Sequence, residues 1–247
     1  LEPACSSARG DFHCRLELAI TYRSIPRALV PGKSQLTGRD YYERAIRILQ
    51  DLFQRTRHRD VGMRLAEAYM GMAQQLFRQR ELEVALGVLQ KARDSIGELY
   101  RSDPQDLEVR RTFGYSQMFL ADLYTFQKQR EPAVQYYSEC ITALDYAEAG
   151  DEQKSVRRRC FVQRGTQHLQ AGNWEGAKVD FQSALRLERE AGALFQLARA
   201  QEGEGDLRSA RLSLEEAIGR VRPTDKNLRT LIESRLREIR ENPKSVQ

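Results

Sequence analysis

Small and bulky apolar residues recur along this chain at helical offsets, and one local arrangement returns several times. It is seen in RELEVALGVLQKA (80–92), REPAVQYYSEC (130–140), GNWEGAKVDFQSA (172–184) and GDLRSARLSLEEA (205–217). Each holds an Ala, a bulky apolar residue four positions later and a small residue three beyond that. The triplets are Ala85/Leu89/Ala92, Ala133/Tyr137/Cys140, Ala177/Phe181/Ala184 and Ala210/Leu214/Ala217, with a weaker copy in Ala45/Leu49/Leu52. Offsets of four and seven put the three side chains on one face of an α-helix.

About twelve residues before each clear anchor stands a second small residue: Ala73, Ala121, Gly165 and Ala198. Bulky residues flank it at helical spacing. Two small residues facing each other let antiparallel helices approach closely, so each repeat predicts a helix–turn–helix hairpin. Gly172 and Gly205 fall in the turns of the last two, and Pro132 falls in the first turn of its helix, where a missing N–H costs little. The anchors at 45, 85, 133, 177 and 210 are unevenly spaced. The longer repeats predict longer helices, with Asp103-Pro104 as an N-cap and first helical residue. Residues 225–241 predict one further amphipathic helix, with Leu228, Leu231, Ile232, Leu236 and Ile239 on one face, suited to closing a repeat stack. Near the start, Pro26 is expected to kink or end a helix, and Pro31-Gly32-Lys33-Ser34 reads as a loop.

The pattern resembles the tetratricopeptide repeat family over roughly 40–222, and more loosely over 11–40. The fourth copy (158–191) matches best, with Phe161, Gly165, Gly172, Ala177, Phe181 and Ala184 in register. The family's closing Pro is mostly absent; only Pro223 lies near its place. The elongated copies are similar to those of bacterial signalling proteins. The resemblance implies an all-α, right-handed superhelical solenoid of about five hairpins (11–57, 59–102, 104–149, 151–189, 191–222). A capping helix would follow at 225–241, with flexible ends at 1–10 and 242–247.

Composition changes this picture little. The net charge of +5 is spread evenly: 19 Lys/Arg against 16 Asp/Glu over 1–124, and 21 against 19 over 125–247. A phosphate-binding surface needs a concentrated basic stripe, so no nucleic-acid partner is expected. No apolar run is long enough to span a bilayer. Nothing at the N-terminus has the order of a signal peptide, and the chain reads as a piece of a longer protein. The four cysteines are irregularly spaced. Cys140 and Cys160 are expected to be buried free thiols in a reducing, cytoplasmic setting, while Cys5 and Cys14 are left unassigned.

Candidate chemistry is thin. Pro31-Gly32-Lys33-Ser34 matches the tail of a phosphate loop, but Arg27 stands where its first glycine belongs and no strand precedes it. Cys160 and His168 share a helix at eight residues' separation, about 12 Å of rise, too far for a nucleophile–base pair. Cys5, His13 and Cys14 could offer three metal ligands but lack a fourth at zinc-site spacing. Arg9-Gly10-Asp11 is a chance tripeptide. Arg157-Arg158-Arg159 is the densest basic run and reads as a solvated first turn, with Arg159 facing inward. The expectation is a non-enzymatic protein without cofactor or metal.

In tetratricopeptide folds the first helix of each hairpin lines a concave groove. The resemblance therefore implies groove positions Glu67, Met70 and Gln74; Tyr115, Met118, Phe119, Asp122 and Phe126; Arg159, Val162, Gln163 and Thr166; and Phe195, Gln196 and Arg199. The Lys/Asn/Arg set with which some members clamp a C-terminal carboxylate is missing: Met70 and Gln74 stand there in one repeat, Val162 and Thr166 in another. An apolar centre at Met70, Met118, Phe119 and Phe126, with Arg159 and Arg199 beyond it, suits a peptide of mixed or acidic character. The groove could instead be filled by the chain's own coiling or by a neighbouring domain. The expected function is a scaffold or recognition module for a protein or peptide. The alternative is an intramolecular regulatory arm of a larger signalling enzyme.

Overall fold

Helices with small residues on two faces pack in series, and that is the architecture of this chain. A computed structural model describes residues 12–28 and 36–241, which form eleven α-helices and no strand. They are α1 (Phe12–Ala28), α2 (Gly38–Thr56), α3 (Arg59–Arg78), α4 (Leu82–Ser102), α5 (Leu107–Phe126), α6 (Arg130–Ala143), α7 (Asp151–Gln170), α8 (Trp174–Leu187), α9 (Ala191–Gly203), α10 (Leu207–Arg220) and α11 (Lys226–Glu241). The chain divides into two compact units, 1–127 and 128–247.

In the first unit each helix packs on the next in sequence, and the alternate helices α1, α3 and α5 also touch in turn. The anchors behave as expected: Ala73, Ala85, Leu89 and Ala92 are buried. At the far end of α3, Met63, Ala66, Ile96 and Val109 form a core edged by Tyr100 and Phe113, whose rings stack at 4.4 Å. Glu67 is taken up by ion pairs with Arg23 and Arg64.

The second unit repeats the scheme from α6 to α11, with α7 also touching α9. Its core joins Ala177, Phe181, Leu194, Ala198, Ala210, Leu214 and Ala217, and α11 adds Ile232 and Leu236. Leu231, expected on that buried face, is 56% exposed instead. Arg164 grips both carboxylate oxygens of buried Asp180, at 2.9 and 2.6 Å, and donates to Ser138, tying α6, α7 and α8 together.

Side-chain caps start several of the helices. Thr37 and Asp40 form a reciprocal capping box on α2, while Asn173 and Asp206 cap α8 and α10. The residue five before each clear anchor adopts a left-handed conformation: Arg80 (φ 68°), Lys128 (φ 60°), Gly172 (φ 73°) and Gly205 (φ 84°). The same turn thus recurs, at a steric cost where the residue is not glycine.

Three expectations need correction. Of the two outcomes expected at Pro26, a kink or an end, the second does not occur: α1 runs through Pro26 to Ala28. The N-cap of α5 is Asp106, which accepts from Glu108 N and Val109 N, whereas Asp103 terminates α4. Cys140 and Cys160 are not free thiols. They form a disulfide between α6 and α7, with Cα atoms 6.7 Å apart, because two packing positions of adjacent helices both carry cysteine. Cys14 is disulfide-bonded as well. Cys5, Arg9-Gly10-Asp11, Pro31 to Ser34 and the expected flexible ends lie outside the described residues.

Candidate recognition sites

The small anchors that bring α3 and α4 together leave space where the hairpin meets α5. Ala73 and Ala85 form the floor of a cavity of about 380 Å³ walled by Gln74, Phe77, Arg78, Leu89, Phe119, Asp122 and Leu123. Gln74, Phe119 and Asp122, three of the expected groove residues from two successive repeats, lie together on this wall. Phe126 stands beside this region, its ring 5.2 Å from that of Phe77 in an edge-to-face contact. Both rings are exposed, and the Arg80 guanidinium sits over Phe126 at 5.7 Å from the ring centre. Gln127 donates to Glu83 at 2.9 Å, linking the ends of α5 and α4.

Met70 and Met118 do not line this cavity. They are 7% and 5% exposed, so they serve as core rather than as an adaptable surface. The reason is that α3 contacts α1, α2, α4 and α5, leaving only a narrow open stripe. Tyr115 is half-buried and also lies outside the cavity wall.

In the second unit, Phe195 and Arg199 share a cavity of about 510 Å³ with Leu169, Trp174, Glu202, Gly203 and Arg235. The expected Arg159, Gln163 and Thr166 are not on its wall. Arg159 is exposed and Gln163 half-buried, while the Thr166 hydroxyl donates to its own helix at Val162 O. The rest of the basic run is neutralised: Arg157 pairs with Asp145 at 2.7 Å, and Arg158 pairs with Glu190. Arg235 is bonded to Glu202 and Glu238, and these bonds hold its guanidinium firmly protonated.

Sequence reasoning missed Phe77, Leu169 and Glu202, which lie on these walls. A signal for them existed, since each stands four residues after a small anchor (Ala73, Gly165, Ala198). Trp174, Gly203 and Arg235 carried no such signal. Their meeting depends on how successive hairpins and the last helix stack.

The architecture defines a class of tandem helical hairpins with small residues at the crossing points. A model of the tetratricopeptide repeat matches residues 115–143. No curated protein matches the chain. Among solved structures, the fold resembles YrrB, described as a TPR protein with an unusual peptide-binding site (14% identity, 94% of this chain and 96% of that one, TM-score 0.55). It also resembles the apo form of RapI (13% identity, 96% and 63%, TM-score 0.59). A third likeness is to a STAND signal-transduction ATPase with a tetratricopeptide repeat sensor from Pyrococcus horikoshii (16% identity, 93% and 31%, TM-score 0.52). The chain thus shares the fold of tetratricopeptide-repeat proteins and carries a match to the repeat itself over 115–143.

Proposed function

We propose that the chain is a protein-recognition module whose first unit seats an apolar side chain of a partner polypeptide. One observation carries the reading: a cavity walled by Phe119, Leu89 and Leu123 lies beside Phe77 and Phe126, two large apolar rings exposed to water at 39% and 44%. Apolar surface left open next to a concave pocket is the usual mark of a binding site. Arg78 and Arg80, both exposed, favour acidic residues flanking the anchor. The reading assigns no catalytic role, cofactor or nucleic acid.

Selection of peptides from a random display library against the folded chain tests this. The expected winners share one bulky apolar residue with acidic neighbours, and they lose binding to a Phe77→Glu variant. Winners that bind Phe77→Glu as tightly as wild type would refute the assignment.

The alternative, an internal regulatory arm, draws support from the likeness to the sensor-bearing ATPase, of which this chain spans 31%. In that case the anchor residue belongs to another domain of the same protein, and the same cavity receives it.

The compartment reading changes. Free cysteines would imply a cytoplasmic setting, and the Cys140–Cys160 disulfide removes that ground. Among the described residues no helix is long and apolar enough to cross a membrane. We propose an oxidising compartment, where structural disulfides persist.

A further inference from the structure

The cavity of the second unit differs in chemistry from that of the first. One wall is Trp174, the chain's only tryptophan, placed at the first residue of α8. Its indole lies against Gly203 at the end of α9, where a Cβ would overlap the ring. Gly203 is therefore required by close approach. Trp174 stays 36% exposed despite this contact, and Phe195 stands on the same wall.

The polar side of the cavity is Glu202, which is 5% exposed. Its Oε2 accepts from Nε and one terminal nitrogen of Arg235, at 2.8 and 2.5 Å. Its Oε1 is buried and accepts from no group. A buried carboxylate oxygen without a donor carries a desolvation cost that a hydrogen bond would relieve.

We propose that this cavity seats a tyrosine side chain of a partner polypeptide, the ring against Trp174 and Phe195 and the phenol O–H donating to Oε1 of Glu202. Three comparisons lead to that occupant. A phenylalanine would fill the aromatic wall but leave Oε1 unpaired. A lysine could donate to Oε1, yet its ammonium would meet the guanidinium groups of Arg199 and Arg235 on the same wall. A tyrosine ring instead offers those cations its negative face and supplies a neutral donor. At about 510 Å³ the cavity has ample room for such a side chain. The site lies wholly within the second unit and stands or falls separately from the first-unit cavity.

Because Trp174 is the only tryptophan, its emission reports on this cavity alone. The intact chain is titrated with N-acetyl-L-tyrosinamide, N-acetyl-L-phenylalaninamide and N-acetyl-L-lysinamide, with excitation at the red edge of tryptophan absorption. The expected result is a saturable response to the tyrosine amide and binding of the phenylalanine amide weaker by about tenfold or more, since a site holding an unpaired acceptor discriminates against a ligand lacking the donor. Gly203→Ala should abolish the response by displacing the indole while retaining the helical circular dichroism signal. Should that variant lose its helical signal, Phe195→Ala takes its place, with binding expected to fall by about fivefold or more. No saturable response to the tyrosine amide up to its solubility limit would overturn the proposal. So would equal affinity for the phenylalanine amide, tighter binding of the lysine amide, or unchanged binding in the folded variant.

Discussion

Phe77 and Phe126, forty-nine positions apart in sequence, meet edge to face at 5.2 Å beside the first-unit cavity, and both remain exposed. A fold gains little from leaving two phenylalanines in water, while a binding surface gains the area they offer. Phe77→Ala is accordingly expected to weaken a selected peptide by about 1–3 kcal/mol, the range of an interface anchor. The urea midpoint should move little, because the ring is already half in solvent. Titration calorimetry beside a denaturation curve checks both halves.

The disulfide between α6 and α7 closes a loop with a sequence separation of 20. On chain-entropy grounds such a bridge contributes about 3 kcal/mol to the unit that holds it. Cys140→Ser together with Cys160→Ser should lower the unfolding free energy by roughly that amount. Wild type in a strong reductant should approach the same value. A midpoint indifferent to both treatments would show that the bridge does not form.

The anchors were legible because they obey a local rule. Ala85, Ala133, Ala177 and Ala210 are each 0% exposed, as the repeated triplets required. The rest depends on which helix stacks on which. Met70 and Met118 stand at positions that the family resemblance assigns to the groove, but neighbouring helices cover them. Cys140 stands at a small-residue position, which predicts burial and says nothing of a second thiol opposite. Trp174 and Gly203 belong to different hairpins, so their contact has no sequence spacing to betray it.

Acid should weaken the first unit at one identifiable point. Asp106, the N-cap of α5, is bonded to Arg59, and the guanidinium with two backbone N–H groups lowers its carboxyl pKa from 3.8 to about 2. A depressed folded pKa gives stability that is full above the unfolded value and is lost as pH falls from about 4 towards 2. The shift corresponds to about 2 kcal/mol at most, and to roughly 1 after discounting for Arg59, whose side chain is 40% exposed. Asp106→Asn keeps a good cap but removes the charge, so its urea midpoint should fall less steeply over that window than wild type's. Parallel slopes would place the acid sensitivity elsewhere.

The recurring left-handed turn makes an opposed pair of predictions. Gly172→Ala places a Cβ at φ 73° and should cost about 1 kcal/mol. Lys128→Gly relieves the same strain at φ 60° and should stabilise by up to about 1 kcal/mol, less the extra chain entropy of glycine. Thermal unfolding of the two variants should bracket wild type.

The most direct test of recognition through the first-unit cavity is site-specific photocrosslinking. A photoreactive benzoylphenylalanine is introduced at Phe77, and separately at Val84, an exposed apolar residue of the same unit that is not on the cavity wall. Each is irradiated with the tightest peptide from the display selection. Recognition through this cavity requires a covalent adduct from position 77 and none from position 84. An adduct from position 84 alone, or from neither, would contradict it.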